Sequence, residues 1–128
     1  MFAMILCFSL ANATHYFKTT DYAYRFLVTN NVWSEWSDWA PNSNIVIMDD
    51  DLNTIQICLP ETVLKFNKKQ FVGTFVDSDG YTQGEYIFED EHGLKCKIRL
   101  RKLSYNKRQI YIHYTTLIFV YNIVPILK

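Results

Sequence analysis

The chain lacks an excess of charge, because thirteen basic and thirteen acidic side chains cancel over its 128 residues. Glycine and proline are also scarce, with four and three residues. Without net charge there is no long-range field to attract nucleic acid or an anionic membrane surface, so we expect neither partner. The low glycine and proline content excludes collagen-like and linker-like chains. An apolar content of 49% instead predicts a folded core.

Motifs for catalysis and metal binding are missing as well. The sequence contains no Gly-x-Ser-x-Gly elbow, no phosphate-binding glycine loop and no dinucleotide fingerprint. Its histidines are not spaced as a zinc pair, and Asp77-Ser78-Asp79-Gly80 lacks the later ligands of a calcium loop. His113 with a nearby carboxylate such as Glu85 is a candidate acid–base pair, although a structural role is favoured for it. We therefore expect no catalytic residues, no cofactor and no metal.

The N-terminal apolar run is too short to cross a membrane core of about 30 Å. Residues 1–13 carry no charged side chain and end in Ala11-Asn12-Ala13, a small-residue pattern that suits signal peptidase. We predict a signal peptide over residues 1–13 and an exported single β-domain over residues 14–128, located in the periplasm, at the cell surface or outside the cell. A first buried strand over Met1 to Leu10 stays open as an alternative, because periodicity does not classify short apolar runs.

Removal of the signal peptide would leave two cysteines, Cys58 and Cys96. A disulfide between them is one interpretation for an oxidising compartment. Strand alternation argues against it, since Cys96 shares a face with Ile98 and Leu100, whereas Cys58 is out of phase with Ile57. We keep both alternatives open and favour two separately placed free thiols.

Alternation with a period of two dominates the chain, and helical patterning is nearly absent. The predicted strands are Tyr22–Thr29, Asn44–Met48, Thr54–Leu59, Thr62–Phe66, Gln70–Val76, Gly84–Glu89, Leu94–Leu103, Gln109–Tyr114 and Leu117–Val124. Turn-forming residues between them predict hairpins and antiparallel pairing. The last strand is apolar on both faces, which indicates either burial on both faces or a central position in the sheet. The fold class is therefore all-β: a single-domain antiparallel barrel or β-sandwich of about eight or nine strands.

All three tryptophans lie in the segment Trp33-Ser34-Glu35-Trp36-Ser37-Asp38-Trp39. Polyproline II geometry has three residues per turn and would align the three rings, whereas a β-strand would turn Trp36 away from the others. The segment resembles the Trp-Ser-x-Trp-Ser element of cytokine receptors and the tryptophan repeat of thrombospondin type 1 domains, in which aromatic rings interleave with arginines. The surrounding sequence departs from both families, and no cysteine lies near the element. We assign the chain to neither family.

A row of cations lies on one face of the Leu94–Leu103 strand, namely Lys95, Lys97, Arg99 and Arg101. This row could interdigitate with the tryptophans as a cation–π ladder. The favoured alternative is a solvated sheet face, with the tryptophans in separate core pockets.

Two binding functions are compatible with this pattern, and both are non-catalytic. In the first, Trp33, Trp36, Trp39 and Tyr81 form an exposed aromatic patch that contacts a glycan or a protein partner. In the second, the strands close into a calycin-like barrel whose interior, lined by phenylalanine and tyrosine, holds a small apolar ligand. Binding is expected in preference to catalysis.

Overall fold

Alternating apolar and polar residues form extended strands along the whole described chain. The computed structural model describes residues 14–51 and 53–126, and in these ranges every regular element is a β-strand. The strands are β1 (Thr14–Thr29), β2 (Val32–Trp33), β3 (Ala40–Pro41), β4 (Ile45–Asp49), β5 (Thr54–Cys58), β6 (Val63–Val76), β7 (Thr82–Asp90), β8 (Lys95–Lys102), β9 (Arg108–His113) and β10 (Leu117–Pro125). The predicted signal peptide lies outside the described residues, so export stays a prediction.

Eight of the strands close into an antiparallel barrel. The hydrogen-bonded order is β10-β9-β8-β7-β6-β5-β4-β1, and β1 pairs with β10 to complete the ring. The short strands β2 and β3 both pair with β1 outside this ring. Because β1 pairs with β10, the sheet closes on itself. Of the two predicted architectures, the barrel is therefore correct and the sandwich is wrong. Within residues 14–51 and 53–126, no helix is long and apolar enough to cross a membrane.

Two predicted strand boundaries are wrong. The predicted strands Thr62–Phe66 and Gln70–Val76 form one continuous strand, β6, because its pairing with β7 continues through two register shifts where a break between two strands was predicted. Strand β1 begins at Thr14 and not at Tyr22, since its first residues pair with β4. By contrast, the predicted central position of the last strand is correct, as β10 pairs with both β1 and β9.

β-Branched side chains fill the middle of the barrel. Val46, Ile57, Ile98 and Ile110 have no exposed surface, and each sits on the inner face of a different strand. Burying such a side chain contributes about 1.5–3 kcal/mol. These residues therefore fill a central layer of the barrel interior.

The two described cysteines are both free thiols, and they lie on opposite sides of the barrel wall. Cys96 is buried in the core cluster, whereas Cys58 is half-buried and follows the inward-facing Ile57. Strand alternation placed them in this way, because neighbouring residues of a strand point to opposite faces.

Candidate functional site

The tryptophan segment lies along β1 as the returning arm of a long hairpin. The turn at Asn31 has a φ of 60°, a left-handed conformation that asparagine tolerates better than most residues. Ser34 then pairs with Phe26 twice: its amide donates to the Phe26 carbonyl at 2.7 Å, and its Oγ accepts from the Phe26 amide at 3.0 Å. Ser37 repeats both contacts with Tyr24, at 2.8 and 2.9 Å. Each serine hydroxyl thus accepts the backbone hydrogen bond that a carbonyl oxygen accepts in a regular β-ladder. Along the tryptophan segment, this contact with β1 repeats every three residues.

This three-residue repeat places tryptophan rings against an arginine that the sequence analysis did not single out. The Arg25 guanidinium lies 5.6 Å from the Trp33 ring centre and 5.4 Å from that of Trp36. Trp36 then meets Tyr111 edge-on, with ring centres 6.3 Å apart. Tyr111 in turn stacks under Arg99 at 4.4 Å. A cation–π ladder therefore forms, but the cation between the tryptophans is Arg25 of β1 and not a member of the β8 row.

The predicted basic row lies on the outer face of β8, where its members have different surroundings. Lys95 is exposed, and Lys97 makes a 3.7 Å ion pair with Glu85. Arg99 and Arg101 are partly buried among hydrogen-bond acceptors. The row is thus neither a uniform basic surface nor a set of cations interleaved with tryptophans.

The two arginines anchor a belt of polar side chains around the outside of the barrel. Asp77 Oδ2 accepts from Arg101 Nε at 2.7 Å, and that hydrogen bond holds the pKa of Asp77 well below its ordinary value. Arg101 Nη1 donates to Gln109 at 3.0 Å, and Gln109 donates to Asn122 at 2.9 Å. Asn122 donates to Asp21 of β1, also at 2.9 Å. The belt crosses the β1–β10 seam and therefore joins the first and last of the described strands.

His113 takes part in this belt as a hydrogen-bond acceptor. Arg99 Nε donates to His113 Nε2 at 3.0 Å, which requires a neutral imidazole. Burial lowers the pKa of His113 to about 4, and the positive charges of Arg99 and Lys97 act in the same direction. Glu85, the carboxylate considered as its partner, is paired with Lys97. In the described residues, no group of three or more histidine, cysteine, aspartate or glutamate side chains could hold a metal ion.

The predicted aromatic patch is divided by the fold. Trp33 is half-buried, whereas Trp36 and Trp39 keep 41% and 47% of their surface exposed. Tyr81 lies on Arg101, 4.8 Å from its guanidinium, beside the β6–β7 hairpin. Trp39 borders an open depression of about 350 Å³ together with Asp21 and Asn122.

A second site lies inside the barrel, at the end formed by the β5–β6, β7–β8 and β9–β10 turns. It is a pocket of about 360 Å³. Its apolar wall consists of Leu59, Leu64, Phe66, Ile112, Phe119 and Tyr121. Two polar side chains, Asp90 and Tyr114, complete the lining on the inner face. Alternation directs both inward, because Asp90 follows the buried Phe88 by two residues and Tyr114 follows the buried Ile112 by two.

Asp90 and Tyr114 form a hydrogen-bonded pair. The Tyr114 hydroxyl donates to Asp90 Oδ2 at 2.9 Å, while Asp90 Oδ1 accepts from the amides of His92 and Leu94 at 2.9 and 3.0 Å. Burial tends to raise the pKa of Asp90, but these hydrogen bonds outweigh burial and the pKa is lowered. Burial raises the pKa of Tyr114. The pair therefore consists of an ionised carboxylate and a neutral phenol.

No protein-family model matches the chain, and no curated protein or solved structure is similar to it. The sites therefore have to be interpreted from their own chemistry. Sequence reasoning missed Arg25, Tyr111 and the Asp90–Tyr114 pair. The pair did leave a signal, because each polar residue occupies an inward position at the end of a strand.

Proposed function

We propose that the protein is a non-catalytic binding protein whose barrel holds a small, largely apolar ligand in the pocket at one end. The observation that carries this proposal is the 360 Å³ pocket, in which six apolar side chains surround the Asp90–Tyr114 pair and the exposed residues Lys65, Glu91 and His92 form the remaining border. Ligand sites in proteins are typically concave, mostly apolar and supplied with a few convergent polar groups. A cavity of about 150 Å³ holds one benzene ring, so this pocket suits a molecule of about a dozen non-hydrogen atoms.

The rest of the barrel interior supports the choice of this pocket. The pocket reaches core side chains such as Ile112 and Tyr121, whereas the larger depression of about 580 Å³ beside Pro60 is lined mostly by loop residues. The pockets bordered by Met48 and Leu100, away from this end, are about 70 and 100 Å³. Those volumes are too small for a comparable ligand.

Calorimetric titration with a neutral probe, indole-3-ethanol, tests the proposal. We expect one probe to bind per chain, and Leu64→Trp to abolish binding because the larger side chain fills the pocket. Val63→Trp is the matched control, since Val63 precedes Leu64 on β6 and is exposed on the outer face. Equal binding of the probe by both variants, or failure of the parent protein to bind any indole probe of this size, whether neutral, cationic or anionic, would refute the pocket function.

The exposed tryptophans favour a second candidate function, recognition of a glycan or a protein partner. Trp39 presents an open ring beside the carboxylate of Asp21 and the amide of Asn122, which is the combination that receives a sugar ring and its hydroxyls. An oligosaccharide array should then give a signal that Trp39→Ala removes and Phe75→Ala, at an exposed aromatic elsewhere, leaves intact. Identical array profiles for the two variants would exclude the glycan role.

A further inference from the structure

The polar end of the barrel pocket limits what chemistry its ligand can carry, provided that the proposed pocket function holds. Tyr114 has one hydroxyl hydrogen and donates it to Asp90 Oδ2 at 2.9 Å. The phenol oxygen and the carboxylate can then only accept further hydrogen bonds. A ligand group that reaches this pair must therefore supply donors.

The charge at this end of the pocket is negative. Asp90 is ionised, Tyr114 is neutral, and the neighbouring Glu91 adds a second carboxylate at the rim. Lys65 also borders the pocket, but it lies between the inward-facing Leu64 and Phe66 on β6. Its Cα–Cβ bond therefore points to the outer face, where the residue is exposed. An anionic head group would meet the Asp90 carboxylate on the inner side and the Glu91 carboxylate at the rim, whereas Lys65 and His92, the lining residues that can be cationic, are both exposed.

We propose that the pocket selects a small apolar molecule that carries a primary ammonium group. The ammonium would donate to Tyr114 Oη and to the free lone pair of Asp90 Oδ2, while the apolar body lies against Ile112 and Phe119. An ammonium brings three donors and a positive charge, an alcohol brings one donor without charge, and a carboxylate brings neither. Hydrogen bonds to a charged partner are about twice as strong as neutral ones.

Three indole compounds of nearly equal size test this selection at neutral pH by calorimetry: tryptamine, indole-3-ethanol and indole-3-acetate. We expect tryptamine to bind at least about tenfold more tightly than the alcohol, because only the ammonium adds a positive charge and further donors to its contact with the ionised Asp90. Indole-3-acetate should bind more weakly than the alcohol. Equal affinities for tryptamine and the alcohol would overturn the inference while leaving the pocket function intact. Failure of all three to bind would overturn the pocket function itself.

Asp90→Asn isolates the charge. The amide oxygen can still accept from the amides of His92 and Leu94, so the β7–β8 hairpin keeps its cap. We expect the preference for tryptamine over the alcohol to fall to within about threefold, with the alcohol affinity nearly unchanged. Glu91→Gln is the matched control, since it removes a neighbouring carboxylate that does not accept from Tyr114, and the preference should survive.

Tyr114→Phe provides an independent variant in case Asp90→Asn perturbs folding, which circular dichroism and thermal melting would reveal. It removes the phenol acceptor and leaves the carboxylate in place. Tryptamine binding should weaken by about threefold to tenfold. Unchanged tryptamine binding in this variant, or an unchanged preference in a folded Asp90→Asn protein, would contradict the proposed selection.

Discussion

The tryptophan ladder makes a quantitative prediction about Arg25. Its guanidinium contacts two indole rings, and each contact is worth about 0.5–1 kcal/mol where it is partly exposed. Arg25→Met keeps most of the aliphatic stem and removes the charge, so it should forfeit about 1–2 kcal/mol of stability through these contacts. An opposing effect accompanies this loss, because Arg25 Nε is buried with no hydrogen-bond partner among the described residues. Relieving an unsatisfied buried donor returns about 1–3 kcal/mol.

These two contributions have similar size and opposite sign, so the single variant is not diagnostic. A double-mutant cycle with Trp36→Leu separates them, because the desolvation contribution of Arg25 is common to both arms of the cycle. We expect a coupling energy of about 0.5–1 kcal/mol between Arg25 and Trp36, from the one contact that the cycle removes. The measurement is urea unfolding followed by far-UV circular dichroism, which does not depend on the altered indole.

A matched cycle pairs Lys95→Met with Trp36→Leu. Lys95 is an exposed cation on the outer face of β8, where it pairs with Glu89 in the strand register, so its coupling to Trp36 should stay within about 0.3 kcal/mol. Additive losses for Arg25 and Trp36, or equal coupling in the Lys95 cycle, would refute the ladder as a stabilising element.

Two further predictions concern titration and thiol reactivity. His113 is neutral in the fold with a pKa of about 4, below its unfolded value, so stability should fall as pH drops from about 6.5 to about 4, by about 2–3 kcal/mol in total. His113→Gln should flatten this part of a stability–pH curve, and an equally steep curve would rule out His113 as its source. Burial raises the pKa of the Cys96 thiol to about 11, so a thiol reagent at neutral pH should modify Cys58 in the folded domain and Cys96 only after unfolding. Rapid labelling of Cys96 in native protein would contradict its placement in the core.

The inward or outward orientation of many side chains in the barrel wall can be predicted from alternation along the strands alone. The opposite orientations of Cys58 and Cys96, and the interior position of β10, come from the period of two that any extended strand imposes on its side chains. The three-residue spacing of the tryptophans indicated a ladder, and Trp33 and Trp36 do share the Arg25 guanidinium, although separate core pockets were the favoured expectation. Alternation did not predict the continuity of β6, because the polar residues between its two halves interrupt the apolar pattern while the ladder continues through register shifts.

The tryptophan ladder and the barrel pocket depend on contacts between residues far apart in sequence, which no local sequence pattern predicts. Arg25 reaches Tyr111 through Trp36 because β1 closes on β10, which joins residues about a hundred positions apart in sequence. Asp90 and Tyr114 meet because two hairpin ends lie at the same mouth of the barrel. Alternation along a strand predicts which face of the sheet a side chain occupies. It does not predict which other strand lies next to that side chain.

The sequence by itself therefore determined the extended character of the chain, the inner and outer faces of its strands, and the absence of recognisable catalytic motifs. The tertiary structure alone decided that the sheet closes into a ring, that Arg25 supplies the cation of the ladder, and that a mostly apolar pocket containing the Asp90–Tyr114 pair opens at one end. The physical reason is that periodicity is a property of neighbouring residues, whereas closure depends on the pairing of distant strands, which sets where space and charge come together.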